Sequence, residues 1–158
     1  MSKGIIKIGD FGFAKETLPT LLLGTSNRFV IERPQTVGSY EYNAPELFEG
    51  ADSGCQQPSS GAGGASHASS DEELNCYYDG AKADVFSAGV TLFLMITKCP
   101  PFRGAHMKDP YYRRLSAPDK KAFWKIVNAM DMSDLAKDLF EKMAERDPKE
   151  RISITEIK

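Results

Sequence analysis

The feature that most constrains the fold is a long apolar stretch at residues 85–97. Its apolar side chains would fall on nearly every face of a helix, so such a helix must lie at the centre of a packed structure. Pro100 and Pro101 cannot continue a helix, which predicts one over residues 82–98. At about 13 residues, the stretch is shorter than the roughly 20 of a membrane span. We therefore predict a buried core helix and no membrane partner.

Two shorter helices are predicted after the proline pair. One starts near residues 116–118, and the other is capped by Ser133, whose hydroxyl can accept a backbone N–H bond from the first turn. Apolar residues at helical spacing define one face of each helix. These residues are Phe123, Trp124, Ile126 and Val127 in the first and Leu135, Leu139, Phe140 and Met143 in the second. Both helices are expected at the periphery of the core.

Ser153 and Glu156 have the spacing of a capping box, which predicts the start of another helix. The sequence stops at Lys158, and a helix of one turn is not stable alone. We therefore expect the sequence to be cut off at its end as well as at its start.

A short β-strand or hairpin is predicted near the N-terminus, where three isoleucines lie between Gly4 and Gly9. Residues 17–36 mix proline, glycine, asparagine and serine without a period, which indicates an irregular segment. Residues 50–70 contain 6 Ser, 5 Gly and 4 Ala, which bury little surface. We predict a disordered surface insertion at about residues 50–73, within a single, mainly α domain.

The sequence argues against a nucleic-acid partner, a zinc site, a disulfide framework and secretion. With 20 Lys+Arg against 22 Asp+Glu, the net charge is −2, and no basic run predicts a nucleic-acid surface. Cys55, Cys76 and Cys99 form no close pair, so neither a zinc site nor a disulfide framework is expected. The N-terminus has no secretory or transit pattern, which favours a cytoplasmic location, with a nuclear one also open.

Asp10, Phe11 and Gly12 directly follow the predicted strand. A carboxylate at such a turn can hold the magnesium ion that bridges nucleotide phosphates, and glycine lets the backbone turn sharply. Because Asp-x-Gly is also common in ordinary turns, the tripeptide alone carries little weight. Its meaning depends on the motifs that follow.

Four further motifs follow in order: Gly-Ser-Tyr-Glu-Tyr-Asn-Ala-Pro-Glu at 38–46, Asp-Val-Phe-Ser-Ala-Gly at 84–89, Pro-Pro-Phe at 100–102 and Asp-Pro-Lys-Glu-Arg at 147–151. In this order they resemble the eukaryotic-type serine/threonine protein kinase family, from its metal-binding turn onward. The resemblance covers nearly all of the chain outside the insertion. It implies the C-terminal lobe of a kinase, the mainly helical part of an α+β fold.

The resemblance also implies roles for single residues. Asp10 would coordinate Mg²⁺ beside ATP, Phe11 would pack in a hydrophobic stack, and Gly12 would permit the turn to flip. Ser39 matches the hydroxyl residue that bridges a catalytic aspartate and a lysine in serine/threonine kinases. Gly38 and Tyr42 belong to the same substrate loop.

The same resemblance also implies which residues support the fold. Glu46, which ends the Ala44-Pro45-Glu46 motif, and Arg151 look like a buried ion pair of the family, in which either charge alone would be costly to bury. Asp84 resembles the aspartate that holds the catalytic loop, and Gly89 lies in the same helix. These residues support the fold, so their presence is evidence for the kinase fold more than for kinase activity.

Residues between Asp10 and Glu46 correspond to the activation segment, where phosphorylation orders the loop in many relatives. Thr25, Ser26 and Thr36 are the candidate phosphorylation sites, with unmodified surface hydroxyls as the alternative. A phosphate-binding glycine loop, a strand lysine paired with a helix glutamate, and a catalytic loop are absent from the 158 residues.

We therefore expect a fragment of a protein serine/threonine kinase that is inactive alone. ATP and Mg²⁺ would serve the complete parent and would not be bound by this chain by itself. The expected partners are a protein substrate, another protein, or a missing N-lobe supplied in trans. The alternative is a non-catalytic, pseudokinase-like protein-interaction module.

Overall fold

The computed structural model describes residues 7, 9–14, 30–32, 38–49, 77–127, 129 and 131–157. The predicted strand at residues 5–8, the predicted insertion, and Thr25, Ser26 and Thr36 lie outside the described residues or almost wholly so. Of the three cysteines, Cys99 is described, and it is an exposed free thiol.

The described chain is mostly helical, as predicted. A 3₁₀ turn at Phe11–Phe13 is followed by strand β1 (Val30–Glu32), helix α1 (Glu46–Glu49), strand β2 (Tyr77–Asp79) and helices α2 (Gly80–Thr97), α3 (Pro110–Leu115), α4 (Lys121–Ile126) and α5 (Asp134–Met143). Strands β1 and β2 pair antiparallel, with Ile31 opposite Tyr78. This strand pair is not anticipated by the sequence patterns.

Helix α2 is the predicted central helix. It begins two residues earlier than predicted because the carboxylate of Asp79 accepts a hydrogen bond from the backbone N–H of Lys82 at 3.1 Å and caps the first turn. It ends at Lys98, which adopts the left-handed conformation with φ of 60° just before the two prolines. Within the described ranges, α2 alone has the length and apolar composition that would also suit a membrane span.

The core forms around α2. Phe93 packs against Phe140 of α5 with ring centroids 4.8 Å apart, and Phe102 packs edge-on against Tyr112 of α3 at 5.1 Å. Such aromatic pairs stabilise beyond the area that they bury. The buried cluster also includes Phe48, Phe86, Val90, Leu115 and Phe123. Elements from both sides of the undescribed residues 50–76 therefore contribute to one core.

The predictions for the peripheral helices need three corrections. Helix α3 was missed, although Asp109 caps it by accepting bonds from Tyr111 N at 2.8 Å and Tyr112 N at 2.9 Å, with Pro110 in the first turn. Helix α4 starts only at Lys121 and ends before Val127, because residues 116–120 form turns instead.

On helix α5 the Ser133 cap forms as predicted, with its hydroxyl accepting a bond from Ala136 N at 3.2 Å. The predicted apolar face is too wide, however. Phe140 and Met143 are buried and Ala136 packs against the core, whereas Leu135 is 83% exposed because it lies off the face that these three residues form. The Ser153–Glu156 pair forms half of a capping box, since Glu156 accepts a bond from Ser153 N at 2.8 Å.

Gly89 sets the distance between α2 and α5. A Cβ atom at this position would lie 2.8 Å from Cβ of Met143, closer than carbon atoms approach without a shift of backbone. We expect Gly89→Ala to lower the free energy of unfolding by about 1–3 kcal/mol, net of the gain in helix propensity, because the two helices must separate. Urea denaturation followed by circular dichroism measures the change.

Ala88→Gly on the exposed side of α2 is the matched control. It removes a methyl group from the neighbouring position and should cost only the intrinsic helix propensity, about 1 kcal/mol. A Gly89→Ala variant more stable than the parent chain would show that the helices are not held at this distance.

Candidate functional site

A buried ion pair joins two distant parts of the chain. The guanidinium of Arg151 donates hydrogen bonds to both carboxylate oxygens of Glu46, from Nη1 at 2.7 Å and from Nη2 at 2.9 Å. The Arg151 residue is 1% exposed, and the Glu46 side chain is nearly as buried. A two-point contact of this kind fixes the relative orientation of both groups.

The remaining donors of Arg151 are also satisfied. Nε donates to the carbonyl of Glu145 at 2.9 Å, and Nη1 donates to the carbonyl of Lys82 at 2.8 Å. The guanidinium carbon lies 5.1 Å from the ring centroid of Phe86, and the Lys82 ammonium donates to the carbonyl of Arg151. Arg151 thus connects the start of α2, the end of the α5 region and α1.

The loop at residues 38–43 leads directly into this ion pair. Gly38 has φ of +91°, a backbone conformation that residues with a side chain rarely adopt. The backbone N–H of Tyr42 donates to the carbonyl of Ser39 at 3.1 Å and closes a turn. The hydroxyl of Ser87 on α2 donates to the carbonyl of Tyr42 at 2.7 Å. We call residues 38–43 the docking loop, after the role in peptide binding that we propose for it; the Ser87 hydrogen bond ties it to α2.

Tyr40 forms the exposed part of the docking loop. Its ring lies 4.4 Å from that of Phe48, and the side chain remains 54% exposed. Gly104 approaches from the other side, since a Cβ atom there would lie 2.7 Å and 2.9 Å from two ring carbons of Tyr40. The loop after the two prolines therefore holds Tyr40 by close backbone contact.

The chain is buried from the last residue of the docking loop onward to the start of α1. Asn43, Ala44, Pro45 and Glu46 are all buried, and α1 begins with bonds from Leu47 N and Phe48 N to the carbonyls of Ala44 and Pro45, both at 3.0 Å. The structure thus brings together Gly38, Ser39, Tyr42, Ala44, Pro45, Glu46 and Arg151 of the predicted site. Gly89 lies apart from them, at the contact with α5.

Asp84 is exposed on the first turns of α2, and partial desolvation raises its pKa. Burial also raises the pKa of Tyr78, with the carboxylates of Asp84 and Glu46 adding to the effect. Burial likewise raises the pKa of Tyr112 well above its ordinary value.

The turn that carries Asp10 is separate in its contacts. Asp10 adopts the left-handed conformation with φ of 60°, and its neighbour Phe11 is 68% exposed. Among the described residues, no hydrogen bond or ring contact joins residues 10–12 to the docking loop. The described part of the chain therefore forms no apolar stack around Phe11, and the implied roles of Phe11 and Gly12 stay predictions.

Asp10 does not by itself make a metal site. The described ranges contain no group of three or more acidic, histidine or cysteine side chains that could hold an ion. Magnesium is usually held by one or two carboxylates together with the phosphates of a substrate. One exposed carboxylate fits only part of such a site, and we derive no step through a metal.

Sequence reasoning assigned no role to two residues that hold the docking loop. Ser87 lies inside the 84–89 motif, but Thr91 and Thr97 of the same helix donate to carbonyls of the helix itself, so a hydroxyl here was no specific signal of a contact with the loop. Gly104 follows Pro-Pro-Phe, but nothing in the sequence shows that Tyr40 packs on it.

Comparison with known proteins identifies the family. The family model described as protein kinase domain matches residues 1–158. The chain belongs to the protein kinase domain family. This confirms the family predicted from the order of its motifs.

The chain is also similar to individual protein kinases. It is 29% identical over 155 residues to the human SNF-related serine/threonine-protein kinase, 33% identical over 153 residues to a probable serine/threonine-protein kinase of Dictyostelium discoideum, and 29% identical over 155 residues to serine/threonine-protein kinase SAPK5 of Oryza sativa subsp. japonica. These matches cover 97–98% of this chain but 15%, 13% and 32% of the relatives. Membership of the family implies ATP and Mg²⁺ in a complete kinase.

Breaking the buried ion pair should strongly destabilise the kinase domain. We expect Arg151→Met to lower the free energy of unfolding by about 3–5 kcal/mol, because Glu46 would remain buried without a counter-charge. Equilibrium denaturation in urea, in a buffer of physiological ionic strength, measures this loss.

Lys142→Met is the matched control, because Lys142 and Asp138 pair at the same 2.7 Å on the exposed face of α5. That variant should lose no more than about 0.5 kcal/mol. Equal losses in the two variants would contradict a structural role for the buried pair.

Proposed function

We propose that this chain is the substrate-docking part of a protein serine/threonine kinase, which transfers the γ-phosphoryl group of ATP to serine or threonine of a protein. The observation that carries the proposal is the Glu46–Arg151 contact, which fixes the docking loop on the helical core across 105 residues of sequence. A loop that positions a peptide must itself be held in place. Ser39, exposed in this loop, would lie beside the hydroxyl that receives the phosphoryl group.

Two acidic residues have roles in this proposal. Asp10 would contribute a magnesium ligand in the complete enzyme, as the family motif implies. Asp84 would accept hydrogen bonds from the backbone of a catalytic loop. Its raised pKa supports that role, since a partly desolvated carboxylate gains from such donors.

The polypeptide of 158 residues would be inactive by itself. Its sequence contains no Gly-x-Gly-x-x-Gly loop and no His-Arg-Asp, and each missing part supplies positioning or charge stabilisation for phosphoryl transfer. An N-lobe, whether from the same protein or supplied in trans, would complete the site. We further propose a cytoplasmic or nuclear location and phosphorylation at Thr25, Ser26 or Thr36.

A non-catalytic protein-interaction module is the second candidate. It is favoured by the exposure of Phe11 and Phe13, both about two thirds exposed. Exposed aromatic residues of this kind suit contact with another protein. In this reading the docking loop binds a protein without modifying it.

Peptide docking can be measured directly by NMR. Serine-containing peptides added to the ¹⁵N-labelled chain should shift the backbone amide signals of residues 38–43. Gly104→Ala should weaken binding at least threefold, because the added methyl group would displace the ring of Tyr40.

Gly9→Ala is the matched control, since nothing lies within 4 Å of a Cβ atom at that position. It should bind peptides as the parent chain does. Binding that leaves the signals of residues 38–43 unchanged would contradict the proposed docking loop.

Nucleotide binding tests whether the isolated chain lacks a working site. With Mg·ATP we expect no rise in melting temperature, because one exposed carboxylate cannot hold the nucleotide. A rise that is lost in Asp10→Ala would contradict this and would mean that a working site assembles within or between chains.

A further inference from the structure

Residues 103–125 carry a charge opposite to that of the rest of the chain. They contain seven Lys and Arg against two Asp, which gives a net charge of +5, whereas the whole chain carries −2. The other residues together therefore carry −7. Charge that is segregated in this way creates a local field that attracts anions, although the chain as a whole is acidic.

Most of these cationic side chains have no acidic partner within the ranges that the structure describes. Lys120 is paired, with its ammonium 3.3 Å from a carboxylate oxygen of Glu145. The two aspartates bond to the backbone, since Asp109 caps α3 and Asp119 accepts a bond from Lys121 N at 3.0 Å. The six cations that form no ion pair in this part of the chain are Arg103, Lys108, Arg113, Arg114, Lys121 and Lys125.

Helices α3 and α4 bring four of these cations close together. The two helices contact each other, and packed helices lie about 8–10 Å apart. Arg113 and Arg114 belong to α3, while Lys121 and Lys125 lie one turn apart on α4. Like charges at that spacing destabilise a helix, so a bound anion would relieve the repulsion. We call these four residues the basic surface.

The basic surface also has features of a protein-binding site. Nη1 of Arg114 donates to the carbonyl of Pro110 at 2.6 Å, which holds the guanidinium in one orientation. Its other donors keep the planar arrangement that matches the two oxygens of a carboxylate. Tyr111 and Ile126 on the same two helices are 42% and 43% exposed. Exposed tyrosine and arginine together are typical of surfaces that bind proteins.

Acidic neighbours restrict which anions can approach the basic surface. Trp124 of α4 donates to the carboxylate of Glu141 of α5 at 2.5 Å, and α5 also carries the exposed Asp134 and Asp138. A membrane or a nucleic-acid duplex is a broad anionic surface, so it would also approach these carboxylates and be repelled. A short acidic peptide can contact the cations alone. The charges therefore favour a protein segment over a broader anionic partner.

We propose that Arg113, Arg114, Lys121 and Lys125 form a binding surface for a segment of a partner protein that is rich in Asp and Glu. Carboxylates of that segment pair with the four cations, and its aliphatic parts pack on the exposed ring of Tyr111. The basic surface is built from α3 and α4 and not from the docking loop. It therefore serves a partner whether or not the chain takes part in phosphoryl transfer.

The test compares two peptides and two variants of the 158-residue chain. The probe is a short, fluorescently labelled peptide of alternating Glu and Gly, and its counterpart has Gln, which has the same shape without the charge, in place of every Glu. Lys121→Glu/Lys125→Glu reverses two charges of the basic surface. Lys142→Glu/Lys149→Glu is the matched control, because it changes the net charge equally, and all four lysines are exposed. Fluorescence anisotropy measures the affinities, and circular dichroism checks that both variants fold.

We expect the parent chain to bind the Glu peptide about tenfold more tightly than the Gln peptide, as several exposed ion pairs allow. Lys121→Glu/Lys125→Glu should weaken binding about tenfold, whereas the control should weaken it less than about threefold. Added salt should weaken binding to the parent chain, because exposed charges are screened. In spectra of the ¹⁵N-labelled chain, the Glu peptide should shift the backbone amide signals of α3 and α4.

Three results would overturn the inference. Equal losses in the two double variants would mean that binding follows net charge and not the basic surface. Shifts at residues 38–43 in place of α3 and α4 would reject the basic surface and leave the proposed docking loop intact. Binding to vesicles of equal parts phosphatidylserine and phosphatidylcholine, lost in Lys121→Glu/Lys125→Glu and without any peptide binding, would assign the surface to a membrane.

Discussion

The contact between Glu46 and Arg151 is the constraint on which the rest of the structure depends. Two charges buried together are stable only when each is neutralised and each remaining polar atom is bonded. Here the carboxylate receives two bonds from the guanidinium, and the other guanidinium hydrogens reach the backbone carbonyls of Lys82, Glu145 and Arg146. Because these carbonyls belong to α2 and to the segment after α5, one side chain fixes three parts of the fold. The position of the docking loop follows from that arrangement.

How far the sequence predicts this structure depends on whether the signal is local. The core helix and the Ser133 cap were predicted because their causes, an apolar stretch and a hydroxyl before a helix, lie within a few residues of the element itself. Leu135 was assigned to the core wrongly, since the apolar pattern does not show which of the adjacent residues Leu135 and Ala136 lies on the buried face. The pairing of β1 with β2 joins residues almost 50 positions apart, and no local pattern contains that information.

The same distinction applies to the candidate site. The residues of the docking loop and their connection to Arg151 were predicted through the order of the family motifs, not through the physics of any one segment. Ser87 and Gly104 were missed because their roles are contacts with a loop about 45 and 64 residues away. The basic surface of α3 and α4 could be found only in three dimensions, since a sequence does not show which cations an acidic side chain neutralises.

The separation of Glu46 and Arg151 along the chain also affects how the protein is made. The ribosome adds about 5–20 residues per second, so roughly 5–20 s pass between synthesis of Glu46 and of its partner 105 residues later. During that interval the carboxylate has no guanidinium to neutralise it and stays in water. The loop that precedes Glu46 therefore takes its final position only after synthesis has passed Arg151.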